Sequence, residues 1–438
     1  MTIYCAPTGS GSENGSSWDN AIEGLAAAVA AASAEEIWCK EGTYNITTRI
    51  DLVDGCDIFG SFDSALTGTN GTKEGRDFDN DRTIIDCGDN DTVFQLANAD
   101  IDGLQVQRGN SAFGGAIYGN GKAMEFRNCV FDDNIGDNYG SAMMLRGGTT
   151  WAVTDCIFTN GTAARGGAVG VRDSGTVVNF TRCVFGTSGN PNTCTIDAGA
   201  VYADGPSTIN FVDCDFGYNT ATGNGGAVMV TGSGTTATFN RCAFHHNAPA
   251  NNAGALYIRG GASMELENCL IYANDASSGA GGAVRQQDTG CASEFINCVF
   301  ADNTASSDTI SAATGNVDLI NCIMWDNTGG EIDATGATLS VTYSDIENGE
   351  TGTGNINSDP LFVGSGDNPY AIGAGSPCID AGDGDNAPVT DYLEQSRYDD
   401  PATSNTGTGT PAYTDIGAYE YQGAPAGGGG KSMLMFAF

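Results

Sequence analysis

The sequence predicts an all-β fold, a single-domain right-handed parallel β-helix of about a dozen turns with an amphipathic helix capping its N-terminal end. Three recurring signals predict it. Cysteine returns in one local setting at Cys129, Cys156, Cys183, Cys214, Cys242, Cys269, Cys298 and Cys322, at steps of 24 to 31 residues. A drift of that size fits a coil whose bends vary in length while its strands stay in register. Gly-Gly-Ala keeps the same beat one segment earlier, at Gly114, Gly166, Gly225 and Gly281, with variants at Ala198 and Ala253. The third signal is an asparagine three residues after an aromatic or apolar residue, as in Phe131 to Asn134, Phe216 to Asn219, Phe244 to Asn247, Phe300 to Asn303 and Met324 to Asn327.

Taken in chain order, the first element is a helix. Asp19 or Asn20 can cap it, and Ile22, Leu25 and Val29 form an apolar stripe through an alanine-rich run. Laid over an open end of a β-helix, it covers unpaired strand edges. Strands begin near residues 36–39. Each later period holds short β-rich runs such as 177–180 and 235–239, about three strands with their bends and no helical pattern. Stacked on their copies, such turns rise by roughly 4.8 Å each.

The repeated residues have physical roles. An inward cysteine acts as a small hydrophobe, phenylalanine fills the remaining width, and paired glycines allow tight bends. Stacked asparagines can hydrogen-bond along the axis, and asparagine tolerates left-handed bends. Asp155, Arg182, Asp213 and Arg241, each one residue before a cysteine, would alternate in charge and pair. The resulting division is residues 1–36 for a first strand and capping helix, 37–345 for the β-helix, 346–423 for an irregular C-terminal cap, and 424–438 for a glycine-rich linker and apolar tail.

Composition agrees with many turns: 64 glycines and 11 prolines in 438 residues. Seventeen basic against 54 acidic residues give a net charge of −37, which argues against nucleic acid or an anionic membrane as partner and favours solubility and cations. The fifteen cysteines are an odd number. Parallel stacking of the eight ladder cysteines disfavours disulfide torsions, and no C-x-x-C pair suggests a zinc site. Met1 leads into Thr2-Ile3-Tyr4-Cys5 without a signal-peptide pattern, which fits either a processed form or a protein that needs no export signal.

Several of these residues also carry a resemblance. Gly15-Ser16-Ser17-Trp18 with the alanine-rich helix, Gly42-Thr43-Tyr44, Gly60-Ser61-Phe62 and Arg76-Asp77 resemble the opening of bacterial right-handed β-helix surface proteins. The paired Gly-Gly-Ala-Ile and Phe-x-x-Asn signals resemble the repeats of chlamydial polymorphic outer membrane proteins. Residues 355–362, Ser376-Pro377-Cys378-Ile379-Asp380-Ala381-Gly382 and Asp415-Ile416-Gly417-Ala418-Tyr419-Glu420 resemble the closing segment of choice-of-anchor surface proteins. The resemblance implies a surface-exposed, often adhesive protein. It departs from the chlamydial pattern in lacking the membrane barrel strands, so this chain would not transport itself.

Two acidic segments could hold calcium, one around Asp77, Asp79 and Asp81 and the other around Asp380, Asp383 and Asp385. Calcium takes six to eight hard oxygens in irregular loops. Neither segment has the EF-hand spacing, and each reads equally as a hydrated acidic loop. Calcium is the one cofactor the sequence suggests.

The tail residues Met433, Leu434, Met435, Phe436 and Phe438 follow a glycine tether, and read either as a frayed end or as a docking strand for a neighbouring subunit. Arg108, Arg146, Arg165, Arg172, Arg259 and Arg285, with Asp132, Asp133 and Asp137, are candidate parts of a polysaccharide lyase or hydrolase, but assemble no known signature. The sequence therefore reads as a non-catalytic exterior protein: an adhesin, fibre or coat component of a bacterial surface or phage particle. Its partners would be further copies, a larger assembly or glycans, with no membrane span. The alternative is a polysaccharide depolymerase on the same scaffold.

Overall fold

The computed structural model describes residues 2–68, 71–90, 94–95 and 97–423. The contacts divide into two compact units. One holds the residues up to 210 together with 214–223 and 227–229, and the other holds 211–213, 224–226 and the residues from 230 onward. A solenoid touches only its neighbouring turns, so a division can fall inside a repeat without any linker.

One repeat of the N-terminal unit shows how the residues make a turn. Strand Thr150–Thr154 is followed by Ile157–Thr159, Thr162–Arg165 and Val169–Val171, and then Val177–Thr181 begins the next turn. Thr150–Thr154 pairs in parallel with Val177–Thr181, residue for residue, and Phe158 lies beside Phe185. The C-terminal unit repeats this: Thr236–Asn240, Ser263–Glu267, Ala292–Ile296, Asn316–Ile320 and Thr338–Thr342 stack in unbroken five-residue register. The repeat from 150 thus has four short strands where three were expected, because Asn160-Gly161 makes an additional bend.

Each bend has a left-handed residue. The residues before the eight cysteines, from Asn128 to Asn321, all have φ between +49° and +55°. Asparagine and aspartate accept this conformation at low cost, and Arg182 and Arg241 take it too. Gly114, Gly166, Gly225 and Gly281, with φ of +62° to +78°, make the bend into the third face. The asparagine of Phe-x-x-Asn does not itself turn the chain. The residue before it does, as at Asp133, Tyr218, His246 and Asp302, and the asparagine side chain points inward.

Inside, aromatic rings form a stack. Phe131, Phe158, Phe185 and Phe216 lie 4.7 to 5.1 Å apart and nearly parallel, all buried. Beside them runs an amide ladder. Asn247 donates to Asn274, Asn274 to Asn303 and Asn303 to Asn327, each at 3.0 Å. The second amide hydrogen reaches a backbone carbonyl, from Asn274 to Phe244 at 2.9 Å and from Asn303 to Ile271 at 2.8 Å. A buried amide is tolerated here because its donors are used.

The N-terminal helix is shorter than expected. It spans Leu25–Ala31, begins at Gly24 with no side-chain cap, and buries Leu25, Ala28 and Val29. Asp19 and Asn20 instead belong to a 3-10 turn, Trp18–Asn20, and Ile22–Glu23 is a strand beside Cys5 and Ala6. Strand pairing at Ile22 outcompetes a longer helix because it satisfies the edge of the first strand.

The C-terminal segment also does more than close an end. Residues 344–356 extend the last turn through the Asp345 to Ile356 bridge. The chain then packs along the flank of the C-terminal unit. Asn268 donates to Thr390 O, Asn297 to Asp415 O and Gly417 O, and Asn321 to Asp383 O, at 2.9 to 3.0 Å. Ile379, Tyr392, Ile416, Ala418 and Tyr419 cover the outward residues Ala243, Leu270, Val299 and Ile323. The proposed tail peptide lies outside the described residues.

Candidate functional site

An aromatic and cationic corner lies in the N-terminal unit, where side chains of two adjacent faces meet. Phe113, Tyr139, Arg165 and Asp197 stand in one register column, at the last residues before the glycine bend. Tyr118, Met144, Gly170 and Tyr202 form a second column on the third face. The columns touch across the bend. Tyr139 and Tyr202 have ring centroids 5.6 Å apart, Phe113 stacks on Tyr139 at 6.2 Å, and Phe113 and Tyr118 lie 6.4 Å apart.

Glycine makes this inside corner possible. A Cβ on Gly170 would lie 2.9 Å from Met144 Sδ and 3.0 Å from Tyr139 Cβ. Arg172 and Arg165 lie over the Tyr139 ring at 4.5 and 5.6 Å, a favourable placement of a guanidinium on a π face. Arg172 Nε also donates to Asp204 at 2.6 Å, and Arg146 Nε to Asp173 at 2.7 Å. Burial, with Asp204 nearby, pushes the Tyr202 phenol up to about 12, so it remains a hydrogen-bond donor near neutrality. The corner therefore presents the exposed Phe113 ring and the half-buried Tyr139 ring above a buried Tyr202, flanked by donor and acceptor pairs.

Of the candidate depolymerase residues, Arg146, Arg165 and Arg172 come together here. The other arginines do not join them: Arg108 pairs with Asp86 at 2.9 Å, Arg259 with Asp288 at 3.5 Å, and Arg285 with the Ser311 hydroxyl, while Asp137 lies in the strand Ile135–Tyr139 that carries Tyr139. Asp132 accepts from Thr159 and Asn160, and Asp133 sits in a bend. The aromatic members escaped the sequence reading because they come from two different positions of the repeat. Their signal is visible only once the register is known, as tyrosines and a phenylalanine flanking the glycine bends.

The acidic candidates separate as well. Asp77 accepts from the Asp79 and Asn80 N–H groups and from Asn80 Nδ2, which is a self-contained turn. Asp383 is used in the same way by Asp385 and Asn386, and Asp385 by Thr410. Asp380 is unlike these: it is fully buried. No three carboxylate, thiol or imidazole groups converge at metal-ligand distance among the described residues. All fifteen cysteines are buried thiols outside any disulfide.

Residues 199–363 match a family model described as a right handed beta helix region. The fold is a right-handed parallel β-helix. Two solved structures are similar to it. One is the crystal structure of pectate lyase Pel9A, at 14% identity with 96% of each chain covered and a TM-score of 0.44. The other is PfbA, a surface adhesin of Streptococcus pneumoniae, at 9% identity over 72% of this chain and 88% of that one, with a TM-score of 0.27. No curated protein matches the sequence. Among the described residues no helix is long and apolar enough to cross a membrane, which leaves β-barrels unaddressed.

Proposed function

We propose that this β-helix is a non-catalytic exterior protein, an adhesin, fibre or coat component, which binds extended neutral glycans along the corner between its second bend and third face. The carrying observation is the platform of Phe113, Tyr139 and Tyr202 with Arg165 and Arg172 beside it. Flat rings suit the apolar faces of sugars, and the Arg172–Asp204 and Arg146–Asp173 pairs offer both donors and acceptors to hydroxyls. A net charge of −37 repels polyanions at long range, so a neutral chain is favoured over an acidic one. Hydrolysis of a glycosidic bond would need a carboxyl kept protonated beside a second free carboxylate. Here Asp173 and Asp204 are engaged by arginines.

The test is a glycan array followed by titration of the best ligand. Tyr139→Ala should lose at least tenfold in affinity while its circular dichroism is unchanged. Unaltered affinity removes the platform from the reading. Release of oligosaccharides by the wild-type chain, abolished by changing Arg172 or Asp204, would establish a depolymerase instead. The proposal includes self-association through residues 431–438, and an unchanged scattering mass for a chain ending at residue 430 would remove that part.

A further inference from the structure

The C-terminal unit ends in a strand whose outer edge no described residue completes. Thr338–Thr342 is the final strand of the face that opens each repeat, and Asn316–Ile320 is its strand partner. In a parallel ladder alternate residues bond to one side. Thr338 donates to Gly315 O at 2.8 Å and Thr342 O accepts from Asn321 at 3.2 Å, so Thr338, Ser340 and Thr342 serve the inner neighbour. Leu339 and Val341 therefore direct their N–H and C=O groups the other way. Asn355 Nδ2 reaches the Val341 carbonyl at 3.0 Å. Among the described residues nothing reaches the Leu339 N–H, the Leu339 carbonyl or the Val341 N–H.

The side chains are unfinished at the same place. Phe239, Leu266, Phe295, Leu319 and Val341 form one inward column, and Ala237, Met264, Ser293, Val317 and Leu339 form the other. Val317 is fully buried whereas Leu339 is half-buried, and so is Ile332, which follows the buried Ile310 on the third face. The second face is closed, because Asp345 bridges Ile356. In the N-terminal unit the first strand is closed as well: Ile22–Glu23 pairs with Cys5 and Ala6, and Gly15 O accepts from the Tyr4 amide at 3.0 Å. An apolar mouth beside unpaired strand groups is a template for a further strand.

The sequence contains a segment of matching chemistry outside the described residues. Met433, Leu434, Met435, Phe436, Ala437 and Phe438 are apolar at every position, which suits a strand covered on both faces, and the glycines of 427–430 precede them as a tether. Residues 424–438 hold no acidic side chain and include Lys431, so they approach a protein of net charge −37 without like-charge repulsion. The last described residues leave well before the Leu339 edge. Asn321 meets Asp383, Asn297 meets Asp415, and Asn268 meets Thr390, which bridges Ser396. Gln422 donates to Ser396 O at 3.0 Å. A departure several rungs short of its own edge favours the edge of a neighbour.

We infer that the edge at Leu339 and Val341 receives residues 432–438 of a second copy as an added β-strand, whose apolar side chains close the mouth over Leu339 and Ile332. The inference rests on the self-association reading above and gives that contact its receiving surface. Backbone hydrogen bonds supply the pairing, and alternate side chains of the added strand fill the mouth. Tail and edge are different surfaces, so the contact is heterologous and each added copy brings a further edge.

The test compares three full-length chains by light scattering: wild type, the double tail variant Leu434→Asp with Phe436→Asp, and Leu339→Pro. Proline is tolerated on an edge strand where the lost N–H faces outward, so Leu339→Pro keeps the bonds to Asn316–Ile320 and blocks the edge. Hydrogen exchange of the peptide covering residues 338–342 is followed in parallel. Both variants should scatter as single chains, and wild-type exchange should be at least tenfold slower than in the tail variant, slowing further with protein concentration. A tail variant of wild-type mass removes the self-association reading and this inference with it. A tail variant that dissociates while Leu339→Pro keeps the wild-type mass overturns the edge alone. Protection that is independent of concentration in a single chain shows the segment on its own edge, and overturns the neighbour as occupant. Should Leu339→Pro fail to fold, exchange decides: slower exchange in wild type than in the tail variant supports the edge, and equal exchange refutes it.

Discussion

At the end of the amide ladder stands one residue whose ionisation opposes folding. Glu331 is 8% exposed and accepts from Asn327 Nδ2 at 3.0 Å. Burial first, then the charges of Glu347, Asp308 and Asp326, push it up to about 7. Because an acid with a raised native pKa binds its proton more tightly in the folded chain, the native state is favoured at low pH. That advantage is lost as pH rises from the ordinary glutamate value through 7. Full ionisation costs about 3 kcal/mol by the size of the shift. Glu331→Gln should therefore raise the melting midpoint at pH 8 and flatten its dependence between pH 5 and 8, compared with wild type in the same buffers. Identical slopes for the two proteins would show that Glu331 does not carry the effect. By contrast, the Arg182–Asp155 pair at 2.7 Å is half exposed, and removing it should cost about 0–1 kcal/mol.

At the scale of the element, the two internal ladders should dominate stability. Asn274 spends its amide on Phe244 O and Asn303 while accepting from Asn247. Asn274→Ala would remove the amide donors to Phe244 O and Asn303 and break the ladder on both sides, and should destabilise by about 2–4 kcal/mol in denaturant titration. Phe185→Ala removes a ring stacked between Phe158 and Phe216, with an expected cost of about 3–5 kcal/mol. Either loss staying below about 1 kcal/mol would mean that the ladders are passengers. These elements were legible in the sequence because one residue type recurs at one position of every turn. The alternation of Asp155 with Arg182 and of Asp213 with Arg241 was legible for the same reason, and both pairs form at 2.7 Å.

Where identity changes along a column, the period disappears from the sequence although the geometry continues. The amide of Cys183 donates to Cys214 Sγ, and at the last cysteine of the column the amide of Cys322 donates to the hydroxyl of Ser344 at 3.0 Å. Serine thus takes the place of cysteine, and the turn at 344 has no cysteine to mark it. The aromatic corner was illegible because Phe113, Tyr139 and Tyr202 meet only through register and the bend. The short helix was over-read because its stripe of Ile22, Leu25 and Val29 is satisfied equally by a strand at Ile22 and about two turns of helix after Gly24.

For the whole chain, burial of all fifteen thiols offers a readout of how it opens. Burial pushes Cys87 and Cys194 up to about 12 and holds Cys156, Cys269 and Cys322 well above the ordinary thiol range. Reaction with a thiol reagent therefore requires opening, since the thiolate is the nucleophile and access is denied to all fifteen, with ionisation also opposed at those five. Turns of a solenoid are held by their neighbours, so the turn at an end has fewer partners and opens first. In the N-terminal unit Cys5 and Cys39 lie in the first rungs, where only the two-residue strand Ile22–Glu23 covers Cys5 on its outer side, while Cys156 and Cys183 have a full turn on either side. In the C-terminal unit Cys298 and Cys322 lie in turns whose outer residues Val299 and Ile323 are covered by the returning segment. Pulsed alkylation read by mass spectrometry should label Cys5 and Cys39 before Cys156 and Cys183, and should leave Cys298 and Cys322 among the last. Simultaneous labelling of every cysteine would instead reveal one cooperative opening, and would contradict the nearest-neighbour stabilisation expected of stacked turns.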